Sequence, residues 1–289
     1  MSRYILAGTD GSAESIAAAR WAADEAVRQG HALRIVHAWT FEDDIHAAPG
    51  QPAEVRALTE RMLADAAEQV RATHPGLEVR TGLLTDDAPV ASLVAAAAAA
   101  ESELLVLGSL GLGGFEGLLV GSIGLGVAAR CEVPVVLVRA ERADGAGRRA
   151  EVVLAVDTRE PAAEVVDFAF QQAAARGAVL RAVHGWTPPP VWGYAGWVTP
   201  QFETEQFRAL EAGLLREALG AWRAKYPDVE VVEDSRIGSG AGAVVDASGD
   251  AALVVVGRRR RHRLGAHLGP VAHAVIHHAQ APVAVVPHN

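Results

Sequence analysis

The chain contains two copies of one sequence pattern, and this repeat limits its possible folds more than any other feature. An apolar run that ends at Asp10 recurs 147 positions later, where a similar run ends at Asp157. The segments Val36–Trp39 and Val183–Trp186 are separated by the same number of positions. Further pairs with offsets of 147 to 149 continue to the end of each copy. A nearly constant offset over so many features predicts two copies of one domain.

The repeat also predicts where the domains begin and end. We expect domain 1 to span residues 1–140 and domain 2 to span residues 151–289, which suits a chain of 289 residues. Residues 141–150 are small or charged and have no hydrophobic periodicity, so we expect them to form a linker.

Within each copy, apolar runs typical of buried strands alternate with segments of helical periodicity. In the first copy we predict strands at residues 4–9, 32–38, 77–83, 103–107 and 134–138, and helices at residues 12–29, 51–73, 89–100 and 122–130. Ser12 is the expected N-cap of the first helix, and Gly30 ends it. The alternation predicts an α/β fold in which each domain is an open, mostly parallel five-stranded sheet covered by helices on both faces.

A glycine-rich loop lies between the strand near residues 103–107 and the helix near residues 122–130. It reads G-x2-G-x9-G-S, with glycines at positions 108, 111 and 121. Glycines let the backbone approach a phosphate, and the free N–H groups of a helix N-terminus favour an anion. The loop has no Walker A lysine, and the dinucleotide pattern GxGxxG fails at Glu116. The loop is therefore a candidate phosphate site, with a surface loop that binds no ligand as the alternative.

Charge and cysteine content exclude several classes of protein. The net charge of −9 argues against general binding to nucleic acid or to anionic membranes. Cys131 is the only cysteine, which excludes an intramolecular disulfide and favours a reducing compartment. We expect its thiol to be a buried apolar group, with a redox role as the alternative. No signal-peptide pattern and no apolar run of membrane-spanning length are found, so we expect a cytoplasmic protein.

These motifs closely resemble the universal stress protein family, and the resemblance extends over both copies. Its hallmarks are the opening Ala7–Ser12, the strand end Val36–Trp39, the glycine loop and the closing segment Cys131–Val138. The spacing of the loop is the signature of the ATP-binding subgroup of that family. The resemblance implies a tandem protein with two domains of adenine nucleotide alpha hydrolase-like fold.

The resemblance also implies that the first copy binds ATP, ADP or AMP. Thr9 and Asp10 would contact the adenosine, and the backbone of Ala38 would meet the edge of the adenine. The glycine loop and the helix start would hold the phosphates through Gly108, Gly111, Gly121, Ser122 and Ile123. A Mg²⁺ ion often accompanies a bound triphosphate, but no acidic cluster marks its ligands, and no resident metal site is predicted. For Asp10 the alternative role is a carboxylate that only stabilises a turn.

The second copy departs from this pattern. Its loop reads Gly257-Arg258-Arg259-Arg260, then eight residues, then Gly269-Pro270. An arginine replaces the second glycine, and the proline removes a backbone N–H where the first copy has a serine. Domain 2 is therefore predicted not to bind ATP in the family manner. For the basic run Arg258–Arg263 we expect a solvated loop, with an anion site as the alternative.

Three further features of the second half have open interpretations. His273 and His277 are four positions apart on a predicted helix. We expect them to lie on a surface or partly buried face of that helix, and a shared metal ion is the alternative. The aromatic segment Pro188–Trp197 could cover a pocket or bind a partner, and the alternative is that it folds onto its own domain. The apolar segments Pro134–Val138 and Pro282–Val286 end the two copies. In the family such strands pair across a dimer, which implies an intramolecular pseudo-dimer, and a larger homo-oligomer is also open.

Three functions follow from these features. The first is an ATP-binding regulatory protein of the stress response, with its nucleotide in domain 1. The second is an interaction module that binds no nucleotide, and the third is a nucleotide hydrolase or other nucleotide-using enzyme. No general base, arginine finger or Walker lysine is recognisable, so we expect at most a weak ATPase and assign no catalytic residue. No protein partner can be named, and a nucleic-acid partner is not expected.

Overall fold

The computed structural model describes residues 3–39, 51–85, 88–98, 102–111, 120–140, 151–187, 201–260 and 267–289. The described elements of domain 1 are β1 (Tyr4–Gly8), α1 (Ala13–Gln29), β2 (Ala32–Ala38), α2 (Gln51–Thr73), β3 (Val79–Leu84), α3 (Pro89–Ala98), β4 (Ser102–Gly108), α4 (Ser122–Arg130) and β5 (Val135–Val138). Those of domain 2 are β6 (Glu151–Ala155), α5 (Ala163–Arg176), β7 (Val179–Trp186), α6 (Gln201–Lys225), β8 (Val231–Ile237), α7 (Gly240–Ala247), β9 (Leu253–Arg259), α8 (Pro270–His278) and β10 (Val283–His288). The predicted linker 141–150 and the aromatic segment Pro188–Trp197 lie outside the described residues.

The ten strands form one sheet in the order β3-β2-β1-β4-β5-β10-β9-β6-β7-β8. All neighbours are parallel except β5 and β10, which pair antiparallel with Val136 opposite Ala284. Each domain therefore supplies a parallel five-stranded half, and the expected α/β fold is confirmed. The pairing of the two last strands, expected from the resemblance, joins the halves into an intramolecular pseudo-dimer.

Helices cover both faces of this sheet because its strands carry apolar side chains on both sides. Alternate residues of β1 belong to different buried clusters: Ile5 and Ala7 pack with α1 and α2, whereas Leu6 packs with α3 and α4. Domain 2 repeats this arrangement with α5 and α6 on one face and α7 and α8 on the other. Nearly continuous apolar strands are expected when both faces of a parallel sheet are buried.

Capping residues position the first helix as predicted. The Oγ of Ser12 accepts a hydrogen bond from the N–H of Ser15 at 3.2 Å, and Gly30 ends the helix with a φ of 68°. The third strand begins at Val79 rather than at the predicted Leu77. The N–H of Leu77 instead bonds the carbonyl of His74 within the turn, at 3.2 Å.

A buried carboxylate holds α1 against α5 at the domain interface. Glu25 is fully buried and accepts hydrogen bonds from Arg176 at 2.6 Å, from Arg28 at 2.8 Å and from Gln172 at 3.0 Å, and a fourth from Gln29. Burial of a carboxylate is costly unless it is paired and hydrogen-bonded, and these donors meet that need. The two domains are therefore joined by side chains as well as by the sheet. No helix within the described ranges is long and apolar enough to cross a membrane.

Candidate functional site

The residues predicted for the site surround a single cavity in domain 1. The cavity has a volume of about 390 Å³ and lies at the carboxyl ends of β1, β2 and β4, next to the N-terminus of α4. All eight residues line it: Thr9, Asp10, Ala38, Gly108, Gly111, Gly121, Ser122 and Ile123. The carboxyl edge of a parallel sheet is the usual place for a ligand in such folds, because the loops and helix N-termini converge there.

One end of the cavity is apolar. Its walls include Val36, Pro89, Leu93 and Leu107, which come from two strands and from one face of α3. The sequence-based prediction did not include these residues, although the spacing of Pro89 and Leu93 places them on one face of a helix. This end suits a flat apolar group next to the backbone of Ala38.

The opposite end offers backbone groups rather than charged side chains. Gly121 is the N-cap of α4, and no side chain caps this helix within the described residues. Ser122, Ile123 and Gly124 of the first turn line the cavity, and N–H groups in a first turn lack partners within their own helix. The N–H of Gly121 bonds the carbonyl of Ser109 at 2.7 Å, which fixes the end of the loop. This end therefore suits an anion.

Two loop glycines are in close contact with different neighbours. A Cβ on Gly111 would lie 2.5 Å from Oδ2 of Asp10, so a larger residue there would displace this carboxylate. A Cβ on Gly108 would lie 2.8 Å from the carbonyl carbon of Glu14 and 2.9 Å from the nitrogen of Ser15, so β4 ends in close contact with the start of α1. By contrast, a Cβ on Gly121 would meet no atom closer than 3.7 Å, an ordinary van der Waals distance, so the folded protein has room for a methyl group there.

Asp10 and Thr9 bond to the start of α1. Oδ1 of Asp10 accepts hydrogen bonds from the N–H of Ser12 at 3.0 Å and from its hydroxyl at 2.6 Å. The hydroxyl of Thr9 lies 3.0 Å from that of Ser15 and accepts from the N–H of Gly11 at 3.2 Å. Asp10 therefore stabilises a turn and also lines the cavity, so the two roles considered from the sequence are compatible.

Two histidines that recur at the same place in the repeat, His37 and His184, bond to backbone carbonyls at matching positions. Nδ1 of His37 lies 2.6 Å from the carbonyl of Thr9, and Nδ1 of His184 lies 3.1 Å from the carbonyl of Val156. Each ring thus donates to the residue that follows the first strand of its domain. Nε2 of His184 also lies 3.1 Å from the buried Glu211. Glu211 could not be found from the sequence because it lies on a distant helix without a motif.

The corresponding cavity of domain 2 is larger, at about 730 Å³. One reason is a missing turn of helix: α5 begins at Ala163, whereas the offset of 147 would place the counterpart of Ala13 at Glu160. Another is smaller side chains, since Val256 stands where domain 1 has Leu107. The extra space lies beside Val165 and Val166 of α5.

The enlarged cavity lacks the features that define the domain 1 site. A Cβ on Gly185, the counterpart of Ala38, would lie 2.7 Å from both Cα of Gly240 and the carbonyl oxygen of Ser239. The start of α7 therefore closes the slot where a base would meet the backbone. At the other end, Pro270 begins α8 without an N–H. These differences support the prediction that domain 2 does not bind ATP in the family manner.

The expectation of a solvated basic loop is wrong for Arg258. This side chain is only 4 % exposed, and its guanidinium donates to the carbonyl of Cys131 in domain 1. Arg260 also reaches domain 1, where it forms an ion pair with Glu132 at 2.6 Å. Arg259 is exposed and pairs with Glu160 of its own domain. The remaining residues of the basic run, 261–263, lie outside the described ranges.

Two other candidates have structural explanations. The rings of His273 and His277 are 4.6 Å apart, but no group of three or more potential metal ligands occurs among the described residues. Burial and the neighbouring His273 lower the pKa of His277. Cys131 is buried as predicted, and this burial raises the pKa of its thiol.

Comparison with known proteins relates both halves of the chain to one family. A model of the universal stress protein family matches residues 1–139 and again residues 149–287. A universal stress protein of Mycobacterium tuberculosis is 32% identical over 293 residues, which cover 97% of this chain and 96% of that protein. Another, of Mycolicibacterium smegmatis, is 32% identical over 295 residues, which cover 98% and 96%.

Solved structures show the same fold. The crystal structure of a universal stress protein from Archaeoglobus fulgidus matches with a TM-score of 0.70 and 19% identity, covering 100% of both chains. A putative universal stress protein from Pseudomonas aeruginosa matches with a TM-score of 0.62 and 17% identity, covering 99% of this chain and 94% of that one. Because the family model matches both halves of the chain, this tandem α/β protein belongs to the universal stress protein family.

Proposed function

We propose that the protein is a regulatory member of its family and that its domain 1 binds an adenine nucleotide. We expect this nucleotide to be ATP, and ADP and AMP are the alternatives. One observation carries this proposal: the eight residues assigned from the sequence converge on one cavity that is apolar at one end and lined by an uncapped helix start at the other. A nucleotide has the same division between an apolar base and an anionic phosphate chain. A cytoplasmic location is part of the proposal.

The residues present fit the ligand at both ends. Val36, Leu93 and Leu107 would contact the base, whose edge would meet the backbone of Ala38. The phosphates would lie at the first turn of α4, beside Gly121, where an added Cβ would meet no protein atom closer than 3.7 Å. Asp10 keeps Oδ2 beside Gly111, on the cavity side of the loop. A Mg²⁺ ion would enter with a triphosphate and neutralise part of its charge.

The lining favours binding over hydrolysis. None of the described lining residues is a lysine or an arginine that would stabilise charge on a transferred phosphoryl group. Oδ1 of Asp10, the carboxylate in the lining, already accepts two hydrogen bonds from Ser12. We therefore expect any ATPase activity to be weak, so that the bound nucleotide acts as a signal.

Gly121→Ala tests the proposal, because the added methyl group has room in the folded protein but occupies the phosphate cradle. Loss of hydrogen bonds to a charged phosphate costs about 1.5–3 kcal/mol, so ATP should bind at least about tenfold more weakly. Calorimetry on nucleotide-free protein measures this affinity. The matched control is Gly269→Ala at the corresponding N-cap of domain 2, where a Cβ would find nothing within 4 Å.

The control should bind ATP as tightly as the wild type. Absence of saturable ATP binding by the wild type would contradict the proposal and favour the interaction module. Multiple turnovers at ordinary enzymatic rates, on the order of 1 per second or faster, would instead favour the hydrolase.

A further inference from the structure

Helix α4 connects the proposed nucleotide site with domain 2. Its N-terminal residues Gly121–Gly124 line the domain 1 cavity. Its C-cap, Cys131, contacts domain 2. The helix has nine residues, which gives a length of about 13 Å. A helix this short moves as one body, so contacts at its C-terminal end influence the orientation of its N-terminal end.

Two arginines of domain 2 hold that C-terminal end. Arg258 is buried and donates to the carbonyl of Cys131, the C-cap of α4. Arg260 pairs with the carboxylate of Glu132 at 2.6 Å and donates to its carbonyl at 3.3 Å. A cation is favourable at a helix C-terminus because the last carbonyl groups carry partial negative charge. Burial lowers the pKa of Arg258, yet an arginine keeps its charge at neutral pH.

A reciprocal contact starts from domain 1. Arg139 donates to the carbonyls of Ile276 at 3.1 Å and His277 at 2.7 Å, at the end of α8. The preceding residue, Val138, accepts a hydrogen bond from the N–H of Ser109 in the glycine loop at 2.7 Å. The contacts of Arg258, Arg260 and Arg139 are therefore attached to elements that form the proposed phosphate site.

The sequence repeat aligns the loop that follows β9 in domain 2 with the glycine loop that follows β4 in domain 1. Arg258 stands where domain 1 has Ser109, and Arg260 stands where it has Gly111. The residues that shape the phosphate loop in domain 1 are thus replaced in domain 2 by residues that contact domain 1. The loss of a nucleotide loop and the gain of an interdomain contact result from the same substitutions.

We propose that Arg258 and Arg260 are positioning residues for the nucleotide site of domain 1, acting through α4. This inference rests on the proposed function, and it assigns a role in that site to the domain that lacks the ATP motif. Linkage requires the reverse effect as well: a nucleotide that needs α4 in this orientation must tighten the contact around Cys131.

Substitutions in the second loop test the positioning role, with ATP affinity as the measurement. Arg260→Ala and Arg258→Met should weaken binding about five- to tenfold, near the lower end of typical coupling between sites. Arg259→Ala is the matched control because Arg259 belongs to the same loop but pairs with Glu160 of its own domain. It should change the affinity less than about twofold.

A charge exchange separates positioning from general damage to the fold. Arg260→Glu should weaken ATP binding, and the double variant Arg260→Glu/Glu132→Arg should recover most of the affinity. Urea denaturation of the same variants measures any loss of stability, so a loss of ATP affinity without a matching loss of stability identifies positioning. The exchange also keeps the proposal testable if Arg258→Met fails to fold.

The single cysteine of the wild type provides a second measurement. Cys131 is 1 % exposed, and its own carbonyl is the acceptor for Arg258, so its reaction rate with dithiobis(nitrobenzoate) reports opening of the contact. We expect ATP to slow this reaction in the wild type and Arg260→Ala to accelerate it.

The outcomes separate the two proposals. The positioning role alone would be overturned if the wild type binds ATP, Arg260→Ala binds ATP equally tightly, and ATP leaves the reaction rate of Cys131 unchanged. Wild type without saturable ATP binding would overturn the proposed function, and the positioning role with it.

Discussion

At the scale of single residues, the three glycines of the loop have different functions. Gly108 allows β4 to meet the start of α1, and Gly111 allows the loop to approach Asp10. A Cβ on Gly121 would meet no atom closer than 3.7 Å, so close packing does not require glycine at this position. The motif therefore combines two positions needed for the structure with one that is free for a ligand.

Alanine substitutions should separate these functions. Gly108→Ala should lower the free energy of unfolding by about 1–3 kcal/mol, because its Cβ would collide with backbone atoms of Glu14 and Ser15. Gly121→Ala should change stability by less than about 0.5 kcal/mol. Urea denaturation of nucleotide-free protein measures both values. Equal destabilisation by the two substitutions would contradict the assigned roles.

At the scale of secondary-structure elements, the start of α1 connects stability to the candidate site. Ser12 caps this helix and also binds Oδ1 of Asp10. Ser239 caps α7 in domain 2 by accepting from the N–H of Gly242 at 3.1 Å. The two serines thus perform the same capping function, but only the first also orients a carboxylate of the candidate site.

Ser12→Ala and Ser239→Ala should therefore cost similar stability and differ in ligand binding. Each should lower the free energy of unfolding by about 1 kcal/mol, the usual cost of losing an N-cap. Ser12→Ala should also weaken ATP binding, because Asp10 loses the hydroxyl donor of Ser12 and is then held by the backbone N–H of residue 12. Paired denaturation and calorimetry measure the two effects. A similar loss of ATP affinity in both variants would argue against the role of Asp10.

Local sequence signals explain which elements could be predicted. The ends of α1 followed from Ser12 and Gly30, and the start of α4 followed from Gly121 because caps and glycines act within a few residues. The role of Arg258 could not be predicted, since its acceptor lies in the other domain. The apolar walls at Leu93 and Leu107 were missed for a related reason: buried leucines are common, and only the fold places these two beside the loop.

At the scale of the whole molecule, the two domains share one sheet but differ in their sites. The β5–β10 pairing and the buried Glu25 join the halves. The same substitutions that remove the phosphate loop from domain 2 bring Arg258 and Arg260 to domain 1. The asymmetry was visible in the sequence as a degenerate loop, but the contact that replaces it became visible only in the folded chain.

The buried contact at Glu25 should contribute strongly to stability. Glu25→Ala leaves the largely buried Arg176 without its carboxylate, and breaking a buried pair from one side costs about 3–5 kcal/mol. Denaturation followed by circular dichroism measures this loss. The exposed pair of Arg56 and Glu60 is the control, since Glu60→Ala should cost less than about 1 kcal/mol. A small effect at Glu25 would show that this buried contact contributes little to joining the domains.

The stoichiometry of ATP binding tests the central claim most directly. Titration calorimetry on the nucleotide-free full chain should give one ATP per chain, in a site that Gly121→Ala weakens and Gly269→Ala leaves unchanged. Two equivalent sites per chain, or a site sensitive to Gly269→Ala rather than to Gly121→Ala, would contradict the claim that only domain 1 carries a nucleotide site.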